Sequence, residues 1–218
     1  MNNKFERGNN TVEYWNDKHH YYGIVEKPYA ETMIKNWEND ISDQGCAIAF
    51  IKENQNAILR KSLVDVGCAH GILLYYLKEN VIKDWELVGY DFSDFIINNN
   101  ASKYNKVKWE QRDILEFPID REFGVITCIQ TIEHFAEGDN YKLLDNMLDH
   151  CEYAIIATVD TIDSCFGEHL SHYTIDTFDN LGYDVIWKSK FDKIDMSNVG
   201  DYGDYHYILF IIKGKLCK

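Results

Sequence analysis

The sequence predicts an α/β fold: a doubly wound, seven-stranded, mostly parallel sheet with an antiparallel last strand, helices on both faces and an N-terminal helical extension. Two observations carry that expectation. From Lys61 onward, short β-rich runs alternate with helical patterns, and such alternation builds a parallel sheet with crossover helices. The last two β-rich runs have only the polar stretch 191–203 between them, which makes them a hairpin and turns the final strand antiparallel.

Taken in order, "SLVDVG" (62–67) is the first strand and "GILLYYLKEN" (71–80) a helix with its apolar residues on one face. "WELVGYD" (85–91) is the second strand, and "SDFIINNNASKY" (93–104) a helix with Ser93 as its N-cap. "VKWEQRD" (107–113) and "FGVITCIQ" (123–130) are the third and fourth strands. "NYKLLDNMLDHC" (140–151) is a helix and "EYAIIATV" (152–159) the fifth strand. "TIDTFDNLG" (174–182) is a helix closing at Gly182, followed by the strands "YDVIWKSK" (183–190) and "DYHYILFIIKG" (204–214). Ahead of the sheet, "TVEYWNDKHHYYG" and "PYAETMIKNWENDI" read as helices. The 218 residues therefore divide into a lid or substrate wall over 1–60 and one large domain over 61–218.

Composition narrows the class. Hydrophobic residues make up 45% of the chain, enough for a core, and no apolar run approaches the roughly 18 to 20 residues of a membrane helix. The start, "MNNKFERGNN", has no signal-peptide apolar stretch, so a soluble cytoplasmic protein is expected. A net charge of −14, from 36 acids against 22 bases, argues against a broad nucleic-acid footprint and leaves a small neutral or cationic substrate open. Six scattered cysteines without a CxxC pair disfavour a disulfide framework or a thiolate zinc site.

Three successive strand ends carry ligand signals. "VDVGCAHG" (64–71) breaks a strand into small residues that let backbone approach a ligand, with Asp65 just ahead; its spacing is not G-x-G-x-x-G. Asp91 ends the second strand 24 residues after Gly67, where an acid reaches the ribose hydroxyls of an adenosine cofactor. Asp113 follows the third. Each alone is an ordinary turn or cap residue, but together they mark one sheet edge as a ligand site.

Asp65-x-Gly67-Cys68-Ala69-x-Gly71, then Asp91, then Asp113-Ile114, then "FGVITCIQTIEHF" resembles a class I S-adenosylmethionine-dependent methyltransferase from about residue 61 to the terminal hairpin. The resemblance implies that Asp65, Gly67, Cys68, Ala69 and Gly71 shape the pocket around the methionine moiety. It implies further that Asp91 holds the ribose, Phe92 packs on adenine, Asp113 and the Ile114 backbone meet the adenine edge, and Gln130 borders the sulfonium. Ala69 stands where the family usually has glycine.

On the acceptor side, "TIEH" follows the fourth strand and "GEHLSHYT" (167–174) the fifth, which are neighbours in the family's sheet order. His134 and His169 are therefore expected to face one another, with His172 an alternate. An imidazole there serves as general base for an alcohol acceptor. Alternatively Glu133, His134 and His169, with Gln130, hold Mg²⁺, Mn²⁺ or Fe²⁺ and acidify an acceptor hydroxyl. This second arrangement resembles the small-RNA 3′-terminal 2′-O-methyltransferases, with Gln130 in place of that family's first acid. The plain alternative makes Glu133 a helix cap and His134 a packing residue. Tyr14, Trp15, Tyr21, Tyr22, Tyr29, His19 and His20, and Tyr202 in the 191–203 loop, are further wall candidates.

The expected activity is methyl transfer to a small-molecule hydroxyl, preferably a sugar or sugar nucleotide as in surface-polysaccharide modification. Small-amine N-methylation, RNA 2′-O-methylation and a catalytically silent cofactor-binding partner are the alternatives. The expected partners are a small carbohydrate acceptor and a second copy of the chain, with neither membrane nor nucleic acid.

Overall fold

Along the central strands, alternate side chains feed two separate cores, one on each face of the sheet. In the computed structural model, residues 10–17, 34, 42–160, 169–191 and 206–217 are described. The strands are β1 (Ser62–Val66), β2 (Glu86–Asp91), β3 (Lys108–Gln111), β4 (Phe123–Ile129), β5 (Cys151–Asp160), β6 (Val185–Phe191) and β7 (His206–Lys213). They form one sheet in the order β3-β2-β1-β4-β5-β7-β6. The first five pair in parallel, and β7 is antiparallel to both β5 and β6, as the hairpin pattern predicts.

Helices α1 (Asp43–Asn54), α2 (Ile72–Asn80) and α3 (Asp94–Lys103) cover one face, and α4 (Asp139–Asp149) and α5 (Thr177–Asn180) the other. Leu63, Val125, Ile155 and Leu209 point toward α1 and α2, whereas Val64, Ile126, Ile156 and Phe210 join α4. Alternation on strands buried on both sides is what period-2 geometry requires of a doubly covered sheet. Cys68, Cys128 and Cys151 are buried in these cores as free thiols, acting as small hydrophobes. Among the described residues no helix is long and apolar enough to cross a membrane.

Two elements depart from the sequence pattern. The helix expected over 174–182 is only four residues long, because the Thr174 amide bonds to the Thr177 hydroxyl at 2.7 Å, a local alternative to the helical ladder. Gly182 still closes it, at φ +84°. Helix α1 has no counterpart in the sequence reading. Ser42 caps it by accepting from the Gly45 amide, and it buries only the narrow apolar set Ala47, Ile48 and Ile51. Of the two N-terminal helices expected, residues 12–17 and Ile34 are helical. The rest of both, and the loop 191–203 beyond Phe191, lie outside the described residues.

The entry to β1 is held by Glu152. Its buried carboxylate accepts from the Leu59 and Arg60 amides at 2.9 and 2.7 Å. Replacing Glu152 with alanine leaves two donors without that acceptor, and urea unfolding is expected to show a loss of about 3 kcal/mol.

Candidate active site

Chain order reverses between β1 and β4, and sheets of this kind bind ligands outside the strand ends at such a point. A cavity opens there. Gly67, Ala69, Asp91 and Phe92 line one side of it, and Asp113, Ile114 and Gln130 line it as well. The loop after β1 holds Gly67 at φ +73°, and a Cβ added there would lie 2.3 Å from the Thr131 hydroxyl. Both the backbone and the contact therefore demand glycine. Gly67→Ala is expected to weaken ligand binding at this cavity by about tenfold or more, as calorimetry would read it.

The other predicted loop residues stand behind the cavity wall. Asp65 is buried and accepts from the Thr127 hydroxyl at 2.6 Å; burial, with the Asp91 charge adding to it, pushes its pKa up to about 7. The Cys68 thiol packs against Gly89. Gly71 is the left-handed cap of α2. Asp91 faces the cavity while accepting from the Ser93 amide at 2.9 Å and the Ala69 amide at 3.1 Å. Burial raises it to about 6, against the lowering effect of those hydrogen bonds.

After β4 the chain turns sharply, with Gln130 at φ +53° and a single 3₁₀ turn over Ile132–His134. That turn aims His134 toward the end of β5. The His134 and His169 rings lie 5.0 Å apart, edge to face, and ligand atoms of Glu133, His134 and His169 all fall within 4.8 Å of one another. Glu133 is 1% exposed and accepts from the Thr158 hydroxyl on β5 at 3.1 Å. Burial lifts its pKa to about 7, and the Asp43 charge pushes the same way. Glu133 does not cap the following helix, whose N-cap is Gly138. Instead its carbonyl accepts from the Leu170 and Ser171 amides, tying the turn to the His169 segment.

A polar hub steadies that tie. The buried Tyr173 hydroxyl accepts from Asn140 at 2.6 Å and from Ser171 at 2.9 Å, and donates to the Ile132 carbonyl. Removing it with Tyr173→Phe is expected to lower thermal stability by about 1 kcal/mol in unfolding free energy. His172, the alternate histidine, is exposed.

Asn10 and Trp15 bring the N-terminal segment to the cavity wall. Asn10 donates to the His134 carbonyl at 3.1 Å and accepts from the Trp15 indole at 3.0 Å, and the Trp15 ring packs edge-on against His134 at 4.9 Å. Next to Trp15, Asn16 donates to Asp94 and accepts from the Ser93 hydroxyl. Of the aromatic and histidine candidates near the N-terminus, Trp15 thus lines the cavity. His19, His20, Tyr21, Tyr22 and Tyr29, like Tyr202, lie outside the described residues.

Asp43 is a site residue that no sequence motif marks. It sits in the first turn of α1, only 3% exposed, and its carboxylate accepts from the Gln130 side chain at 3.0 Å. Burial raises its pKa, opposed by the bonds from Gln130 and the Gln44 amide. The Ser42-Asp43 pair is a visible helix start, but nothing in it signals a contact 87 residues away.

Residues 63–153 match a family described as a methyltransferase domain. No curated protein matches the sequence. Magnesium protoporphyrin IX methyltransferase from Synechocystis PCC 6803 with bound SAM superposes with a TM-score of 0.66 at 11% identity, covering 98% of this chain and 100% of that one. The N-methyltransferase NodS from Bradyrhizobium japonicum, in complex with S-adenosyl-l-homocysteine, gives 0.56 at 15% identity over 76% of this chain and 88% of that one. The cyclase SpnF gives 0.58 at 11% identity over 77% and 79%. At these identities the likeness is one of fold.

Proposed function

We propose, from the class I S-adenosylmethionine-dependent methyltransferase fold and the match of residues 63–153 to a methyltransferase domain, that the chain methylates a hydroxyl of a small molecule, preferably a sugar or sugar nucleotide. The observation that carries the oxygen acceptor is the His134–His169 pair, 5.0 Å apart, of which His134 lines the cavity together with Asp91 and Gln130. The wall fits an adenosine-bearing donor: a glycine that tolerates no Cβ, a carboxylate at the end of β2 and an aromatic next to it.

When bound, S-adenosylmethionine supplies a sulfonium methyl for in-line displacement. The chain does the rest. Asp91 accepts from the ribose hydroxyls, Phe92 packs on the adenine ring, Asp113 meets its amino group, and Gln130 borders the methionine end. One imidazole of the His134–His169 pair takes the acceptor proton on a ring nitrogen. Trp15 offers an aromatic face beside that pair, a surface suited to stacking on a sugar ring, and it makes the N-terminal segment part of the acceptor wall.

Two other readings have an observation each. The Glu133, His134 and His169 atoms within 4.8 Å form a mixed oxygen and nitrogen set suited to Mg²⁺, Mn²⁺ or Fe²⁺, which would acidify the hydroxyl in place of the base. The net charge of −14 favours a cationic amine as acceptor. A panel of sugars, sugar nucleotides and amines, assayed by mass with and without chelator, separates the three. Chelator-resistant methylation of a hydroxyl is the expected outcome. Turnover lost to chelator and restored by Mn²⁺ would replace the base with an ion, and products confined to amines would overturn the oxygen acceptor.

A further inference from the structure

Ala69 is an alanine held where the backbone favours glycine. Its φ is +41°, a left-handed conformation that costs an L residue free energy through its Cβ, and it lines the cavity. Such a residue persists only where its surroundings over-determine it. Two side chains do so, one at each end of the residue. The Asp91 carboxylate accepts from the Ala69 amide at 3.1 Å, and the Asn100 amide donates to the Ala69 carbonyl at 2.7 Å.

Asn100 is otherwise hard to explain. It lies on α3, is fully buried, and its Oδ1 has no hydrogen-bond partner. A buried asparagine with half its amide unused is a costly choice for a core position. Its Nδ2 reaches under the loop, 3.1 Å from where a Cβ on Gly71 would stand. We propose that Asn100 is the positioning residue for the donor loop, holding Ala69 in the left-handed conformation that the donor requires. This rests on the cavity being the S-adenosylmethionine site. Without the bond, the loop spends less time in its competent conformation, and apparent affinity falls by that fraction.

The alanine makes the claim testable by epistasis. A glycine at 69 adopts positive φ without penalty and has less need of the clamp. Calorimetric titration of S-adenosylhomocysteine into wild type, Ala69→Gly, Asn100→Leu and the double variant measures the coupling, with apo melting temperature reporting that each is folded. Asn100→Leu is expected to weaken binding about tenfold or more. In the Ala69→Gly background the same change is expected to cost under about threefold, a rescue that a merely structural asparagine would not show. A folded Asn100→Leu with wild-type affinity, or a double variant as weak as Asn100→Leu alone, overturns the proposal. If Asn100→Leu does not fold, Asn100→Ser takes its place under the same comparison. A wild type that binds no S-adenosylhomocysteine overturns the donor reading itself, a result distinct from either.

Discussion

Replacing either His134 or His169 with alanine is expected to lower turnover by about two to four orders of magnitude while S-adenosylhomocysteine binding stays within about threefold of wild type. The rings face each other at 5.0 Å and are presented by different strands, so neither substitution removes a strand or the donor wall. Because the two act on one proton, the double variant is expected to be little worse than the more damaging single one. Binding lost together with turnover would assign the histidines a packing role. Full activity in both variants would remove them from the mechanism. Inactive wild type with intact donor binding would favour a silent cofactor-binding partner, because a fold does not by itself fix an activity.

The second large effect is on pH-dependent stability. Asp65 and Glu133 are raised to about 7 and Asp91 to about 6, each chiefly by burial, and Asp43 is raised as well. A carboxyl whose folded pKa lies above its unfolded value binds more protons folded than unfolded in the interval between. Stability then falls as pH rises through that interval. The advantage is fully present below about pH 4 and is lost by about pH 7. For Asp65 alone this amounts to at most on the order of 4 kcal/mol. The apo protein is therefore expected to melt lower at about pH 7.5 than at about pH 5, and Asp65→Asn to flatten the curve. A cationic donor offsets the charge on Asp65 and Asp91, so saturating S-adenosylmethionine should raise the melting temperature more at the higher pH. A wild-type curve that rises over this range, or an Asp65→Asn curve parallel to it, contradicts the account.

Much of the frame was legible because its strands are short apolar runs closed by turn residues, and those runs lie where a doubly covered sheet puts them. The meeting of His134 and His169 was legible for the same reason: two strand ends that neighbour one another bring their next residues together. The contacts that complete the site were not. Asp43 meets Gln130 across 87 residues, and Asn10 meets the His134 carbonyl across 124, through tertiary packing of a segment with weak local signals. Helix α1 escaped because its buried stripe is Ala47, Ile48 and Ile51 beside Gly45, too narrow for a clear helical period. Ala69 drew notice as a departure from glycine, yet Asn100, which clamps it, reads in sequence as one more polar residue in "INNNAS".

The donor cavity is tested most directly by equilibrium titration of S-adenosylmethionine into the wild type and Asp91→Ala. One-site binding, weakened roughly a hundredfold when the Asp91 carboxylate is removed, is the predicted result. Absence of wild-type binding, or equal affinity in Asp91→Ala, would contradict it.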